Sequence, residues 1–338
     1  MLPTGITSRY SSGRSIELLP SGIPSLDSTL GGGYPLGSIV LLLEDELGVY
    51  SDMFFKAYLS QGITNGDTIF VGSPHCCNSS FLSTLPGLDV QSGNLKDDAK
   101  NYEPMTIAWR YSSSTSSIRD TNKHLALSNN FSFAKRISTD TLIQENVVKF
   151  DPADRKTDEL ETLDCLLEEI SSLSSKQAMN NAKSGQKVHL RIGLHGLGSV
   201  LWRTEEVRIT QFLVKLRWLT AQFPASVLVT VPPDVLSLKT VSRCRQICDV
   251  VFSLLAIDPA ANPLYSEYNG LLKLWKISPI NCLAPIVEVS DDWAFKLLKK
   301  RLLVERLTLP PEMDSSTQRE QVNDVPNLCG SLNKALDF

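Results

Sequence analysis

The sequence predicts an α/β domain: a mostly parallel sheet with helices on both faces. Three observations lead there. Short, continuously apolar runs such as 39–43 and 226–231 suit strands buried on both faces, as parallel strands are. Segments of helical periodicity stand between such runs. Residues 158–173 place Leu160, Leu163, Leu166, Leu167 and Ile170 on one stripe, and 205–223 do the same with Ile209, Phe212, Leu213, Leu216 and Leu219. Alternation of the two kinds of segment is the pattern of crossover units on a parallel sheet.

Element by element, residues 1–21 are rich in Ser, Gly and Arg and read as a flexible arm. One domain, 22–313, follows. Strands are expected at 38–43, 68–72, 106–110, 189–194, 226–231, 250–255 and 271–277, the final pair antiparallel. Helical sequence follows the first strand at 52–58. A polar stretch at 112–149, with its serine run Ser112–Ser117, reads as an insertion, and 174–187 as a linker of low hydrophobicity. Residues 294–311 place Leu297, Leu298, Leu302, Leu303 and Leu307 on a helical packing stripe. Lys296, Lys299, Lys300, Arg301 and Arg306 lie opposite, on what is either a basic face or an ordinary solvated one. The polar tail 314–338 reads as flexible.

The opening of the domain is the most specific segment. Residues 22–51 read GIPSLDSTLGGGYPLGSIVLLLEDELGVYS and resemble the start of a RecA-type nucleotide-binding domain. Gly22, Leu26, Asp27, Leu30 and the three glycines 31–33 form the lead-in to a buried strand. A phosphate-binding Walker A loop should follow, with glycines whose backbone N–H groups cradle phosphate and a lysine that reaches it. Here Glu44 stands at the first glycine, Val49 at the second and Tyr50 at the lysine; only Ser51 fits. Glu44, Asp45 and Glu46 put carboxylates at a helix N-terminus, which suits the helix dipole but fills an anion site with anions. Each carboxylate about 4 Å from a phosphate costs on the order of 4 kcal/mol at an effective dielectric of about 20. The aspartate and glutamate that serve magnesium and water in such domains are missing too. Strand 188–194 ends in His195-Gly196-Leu197, and strand 69–71 in Gly72-Ser73-Pro74-His75. The expectation is a RecA-like fold without a functional Walker A loop, hence neither an enzyme nor the holder of a cofactor.

Composition narrows the rest. The chain has 338 residues, 42% of them hydrophobic, and a net charge of −4. That supports a large core and gives no global basic footprint for nucleic acid, so any RNA contact must be local. The absence of an apolar run of 18 or more residues argues against a membrane partner and for a soluble intracellular protein. Seven cysteines, an odd count, read as reduced thiols. Cys244 and Cys248 have helical ligand spacing, but nothing nearby completes a metal site.

Loops after the fourth and fifth core strands carry the local basic candidates. Lys239, Arg243 and Arg245 are opposed only by Asp234, and Arg203 follows Trp202. They suit phosphate contacts, and equally a solvated helix face. Trp202 suits a stacked base or, more simply, core. Arg191, inside a strand pattern, asks for a buried acid, and His195 reads as a core or interface histidine. Glu44, Asp45 and Glu46 suit a neighbouring subunit's basic patch or an exposed acidic turn.

These segments together resemble the PAXNEB family, the fourth subunit of the Elongator complex, over about residues 20–313. The resemblance is carried by EDELGVYSDMFFKAYLSQG with its acidic loop, MTIAWRY at 105–111, RIGLHGLGSVLW at 191–202, NPLYSEYNGLLKL at 262–274 and AFKLLKKRLLVERLTLPPE at 294–312. It implies a cytoplasmic and nuclear, non-catalytic subunit. Its partners would be the fifth and sixth Elongator subunits in a hetero-hexameric RecA-like ring, the rest of the complex, and tRNA. The ring would serve wobble-uridine (U34) modification, whose radical chemistry belongs to another subunit. The residues alone leave two other readings open: an ATPase, or ATPase-assisting ring subunit, with a non-standard site, and a recombinase-like DNA-binding protein.

Overall fold

The computed structural model describes residues 7–11, 14–74, 81–89, 128–137, 146–153, 162–185, 187–258, 265–278 and 293–307. Strands β1 (Thr7–Ser11) and β2 (Arg14–Leu19) form an antiparallel pair that continues to the short β3 (Tyr34–Pro35). Between β2 and β3 lies α1 (Pro24–Leu30). Then come β4 (Ile39–Leu43), α2 (Val49–Asn65), β5 (Thr68–Gly72), and the small pair β6 (Pro86–Leu88) and β7 (Phe131–Arg136). Next in order are β8 (Val147–Phe150), α3 (Thr162–Ser184), β9 (Leu190–Leu194), α4 (Glu206–Gln222), β10 (Ser226–Val231), α5 (Leu238–Ile247) and β11 (Val250–Ala256). The last described strands are β12 (Gly270–Lys276), β13 (Trp293–Leu298) and β14 (Arg301–Arg306).

Nine strands share one sheet in the order β14-β13-β12-β11-β4-β10-β9-β5-β8. From β11 to β8 every pairing is parallel, and from β11 to β14 every pairing is antiparallel. The α/β expectation and its antiparallel close both hold. β4 shows why its sequence is an unbroken apolar run. Ile39, Leu41 and Leu43 enter the core packed by α3, α4 and α5, while Val40 and Leu42 enter the opposite core with α1 and α2. A strand covered on both faces has no polar side to alternate with.

Four expectations are corrected. The arm at 1–21 carries β1 and β2, and Leu18 and Leu19 are fully buried, so the fold begins before Gly22. Residues 174–184 of the expected linker are the second half of α3, whose outward face is polar and whose buried residues are Thr162, Leu163, Leu166, Ile170 and Ser174. The insertion at 112–149 supplies β7 and most of β8, and β8 pairs in register with β5. Residues 294–307, the described part of 294–311, are not helical. β13 and β14 form a hairpin whose turn, Lys299-Lys300, takes φ values of 49° and 66°. Its leucines satisfy a period of two as well as one of 3.6. Tertiary packing decides between them: the Phe295 ring meets those of Tyr50 and Phe54 of α2, and the Val304 N–H donates to Ser25 Oγ at 2.8 Å. The supposed basic face is dispersed, with Lys296 paired to Glu305 and Arg301 to Asp89. The strand expected at 106–110, the serine run, residues 158–161 and the tail lie outside the described residues.

Candidate functional site

The loop from β4 to α2 sits at the carboxyl edge of the parallel sheet, where α/β domains bind ligands. Gly48 takes φ 67° and turns the chain into α2. That turn folds Asp45 back under the helix it precedes. The Asp45 carboxylate accepts the N–H groups of Val49 at 3.0 Å and Tyr50 at 3.3 Å on one oxygen, and that of Ser51 at 2.8 Å on the other. The Gly48 N–H donates to the Asp45 carbonyl at 2.8 Å. First-turn N–H groups of a helix are the donors an anion would use; here a side chain of the same chain takes them.

The rest of the acidic triplet diverges. Half-buried Glu44 accepts from the Thr230 hydroxyl, and that hydroxyl accepts the Gly196 N–H at 2.8 Å. This ties together the ends of β4, β10 and β9. Glu46 is exposed beside Leu47, which is 81% exposed. Expecting all three carboxylates to face a neighbour is therefore wrong for Asp45, which is 4% exposed with both oxygens engaged. A cleft of about 670 Å³ lies alongside, lined by Leu47, Val49, Asp52, Lys56, Phe133 and His195 among others. Its Asp52 and Lys56 neutralise one another across one helical turn at 2.6 Å.

Arg191 has the buried acid it asked for. Its Nε donates to Asp67 at 2.6 Å, its Nη1 to the Pro20 carbonyl at 2.8 Å, and its guanidinium carbon lies 5.1 Å from the Tyr58 ring centre. Gly62 makes room for it, because a Cβ there would come within 2.6 Å of Arg191 Cδ. Nearby, Asp27 is wholly buried and accepts from the Ser21 N–H and the Ser128 hydroxyl. Burial pushes its carboxyl up to about 6, against those hydrogen bonds. Desolvation likewise raises the thiols of Cys244, to about 11, and of Cys248. Both are core residues. Among the described residues no group of three or more His, Cys, Asp or Glu could hold a metal ion, and no helix is long and apolar enough to cross a membrane.

The basic candidates are not all brought together. Lys239 and Arg243, four apart, are exposed on one face of α5, while Arg245 is half-buried on another. Arg203 is exposed at φ 49° in the loop before α4. Trp202 is core: fully buried, stacked on Phe150, its Nε1 donating to the His195 carbonyl at 3.0 Å. His195 rests its ring 4.9 Å from that of Phe55. The His195 backbone N–H donates to the Gly72 carbonyl at 2.8 Å, a structural place. What sequence reading missed is across from Arg245. The guanidinium carbon lies 4.2 Å from the ring centre of Trp275 in β12, and Lys273 Nζ lies 4.5 Å from that same centre. The signal was present in LLKLWK, where Lys and Trp alternate with buried leucines, but nothing in the chain order joins it to α5.

A model of the PAXNEB protein family matches residues 3–338. The chain is similar to Elongator complex protein 4 of Mus musculus, at 31% identity over 91% of this chain and 80% of that protein. It is similar to its namesake in Danio rerio at 30% identity, over 95% and 89% of the two chains, and in Homo sapiens at 29%, over 95% and 86%. Among solved structures, a KaiC-like protein of Pyrococcus horikoshii OT3 superposes loosely. Its TM-score is 0.48 at 17% identity, covering 86% of this chain and 99% of that one.

Proposed function

Because the chain belongs to the PAXNEB family, we propose that it is a non-catalytic subunit of an Elongator complex. In this reading it stands with the fifth and sixth subunits in a hetero-hexameric ring of RecA-like domains. The ring binds tRNA and supports wobble-uridine modification in cytoplasm and nucleus. The names of the relatives support the complex. One observation carries the non-catalytic part: the N–H groups that would cradle a nucleotide's phosphate hold the carboxylate of Asp45. A phosphate would have to displace that carboxylate and then sit beside Glu44. Exposed Glu46 and Leu47, at the same edge, are the interface candidates, and the uncovered cations of α5 are the tRNA candidates.

The test is purification of the tagged chain from its native cells. The fifth and sixth subunits should co-purify in equal amounts with it, in a ring that binds tRNA and whose affinity for ATP does not depend on this subunit's loop. Recovery without those subunits would overturn the assembly. ATP bound in the isolated chain, and lost on Glu44→Ala, would overturn the non-catalytic reading.

A further inference from the structure

The face of the sheet that α3, α4 and α5 cover runs out beyond α5. There Ser253 and Leu255 of β11 lie beside Leu271, Lys273 and Trp275 of β12. Leu255 is 62% exposed and Trp275 43%. The Trp275 ring is fixed rather than loose, because its Nε1 donates to Ser253 Oγ at 3.0 Å. Arg245 and Lys273 both lean on it, which holds their charges within about 9 Å of one another. Cations held over an aromatic face are attracted to its quadrupole, and the arrangement immobilises them. α5 contributes Lys239, Arg243 and Arg245 and no acid. None of these three forms an ion pair among the described residues. Lys239 and Arg243 thus add exposed positive charge, on another face of the helix that carries Arg245, to a protein whose net charge is −4.

We propose that Trp275, with Arg245 and Lys273, is a stacking site for an unpaired nucleotide of RNA, and that the cations of α5 carry the phosphates on either side of it. The inference rests on the tRNA-binding reading of this subunit and adds the residues that choose single-stranded over paired RNA. A base needs a flat π-face or guanidinium plane to stack on, and the Arg245–Trp275 pair offers one at the surface. Phosphates need cations free of carboxylates, and Lys239 and Arg243 stand exposed along α5. A base within a duplex has no free face to offer, so the site selects loops and ends. A protein partner would also accept an exposed tryptophan, but two cations held over its ring, with Lys239 and Arg243 exposed on the same helix as one of them, fit a polyanion better.

The experiment uses the assembled ring with the wild-type chain, Trp275→Ala, Trp275→Phe, and the pair Arg245→Ala/Lys273→Ala. Affinities for tRNA, for a single-stranded oligoribonucleotide and for a duplex of equal length are measured across a salt series, with assembly followed by native mass spectrometry. Trp275→Ala should weaken tRNA and single-strand binding about tenfold with its salt slope unchanged. Trp275→Phe should restore most of the loss. The double cation variant should flatten the single-strand slope by about 0.7 per lost contact. Should Trp275→Ala not fold, Trp275→Leu, which covers the strand but has no π-face, replaces it. Wild-type affinity in that variant overturns the stacking site and leaves tRNA binding standing. So does duplex bound as tightly as single strand. Loss of assembly instead of RNA binding would assign the patch to a protein neighbour. A wild-type ring that binds no tRNA would defeat both this site and the reading beneath it.

Discussion

Replacing Asp45 by alanine leaves the first turn of α2 with three N–H groups that have lost their acceptor. Loss of a helix N-cap alone costs about 1–2 kcal/mol. The outer two donors can turn to water, because Val49 is 49% exposed and Tyr50 is partly so. The third cannot: Ser51 is fully buried, and an unmet buried donor costs about 1–3 kcal/mol. Together the loss is about 3 kcal/mol. At about 2 °C per kcal/mol for a domain this large, that is a fall of about 6 °C in Tm. Asp45→Asn should lie between. Its amide oxygen can accept on only one side, and its NH2 group then faces the N–H donors of the other. Urea unfolding followed by tryptophan fluorescence, alongside a thermal melt, reads both variants. An Asp45→Ala protein with the wild-type melting point would refute the reasoning, since the cradle would then owe nothing to the carboxylate.

Three other outcomes follow from the same structure. Asp67→Ala strands Arg191 in the core and should cost about 3–5 kcal/mol, more than any exposed ion-pair deletion, as read by urea midpoints. Asp27 has a folded-state carboxyl raised from 3.8 to about 6, so its contribution to stability is full below the unfolded value and lost as pH rises through the folded one. Asp27→Asn should therefore gain on wild type by about 2 kcal/mol between pH 4 and pH 7; a pH-independent difference would contradict the burial argument. Glu46→Arg, at an exposed position of the same loop, should leave Tm unchanged and weaken ring assembly; unchanged native mass spectra would remove it from the interface.

The parallel strands other than the half-buried edge strand β8 were legible because burial on both faces writes itself as uninterrupted apolar sequence, as in 39–43 and 226–231. α4 was legible within a residue or so, since Ile209, Phe212, Leu213, Leu216 and Leu219 have a single period that fits. Where residues fit two periods, sequence could not choose, and the leucines of 297–307 went to the wrong one. Where a helix leaves the core it keeps its hydrogen bonds but loses its apolar stripe, and the second half of α3 reads as a linker. The acidic loop showed its composition but not its geometry. Glu44, Asp45 and Glu46 are alike as letters, and only the left-handed turn at Gly48 sends Asp45 inward. Trp275 was invisible as a site because its partner Arg245 is some 30 residues away in the chain.

A ligand that diffuses away can report on the cell; a ligand bonded to its own site cannot. The carboxylate that fills the cradle of α2 is tethered four residues before the helix begins, at an effective concentration far above that of any free metabolite. Its occupancy is thus the same whether ATP is plentiful or spent. In the proposed ring, a subunit with its cradle filled this way would not sense the turnover of its neighbours through this loop. Timing would then fall to the RNA or to another chain.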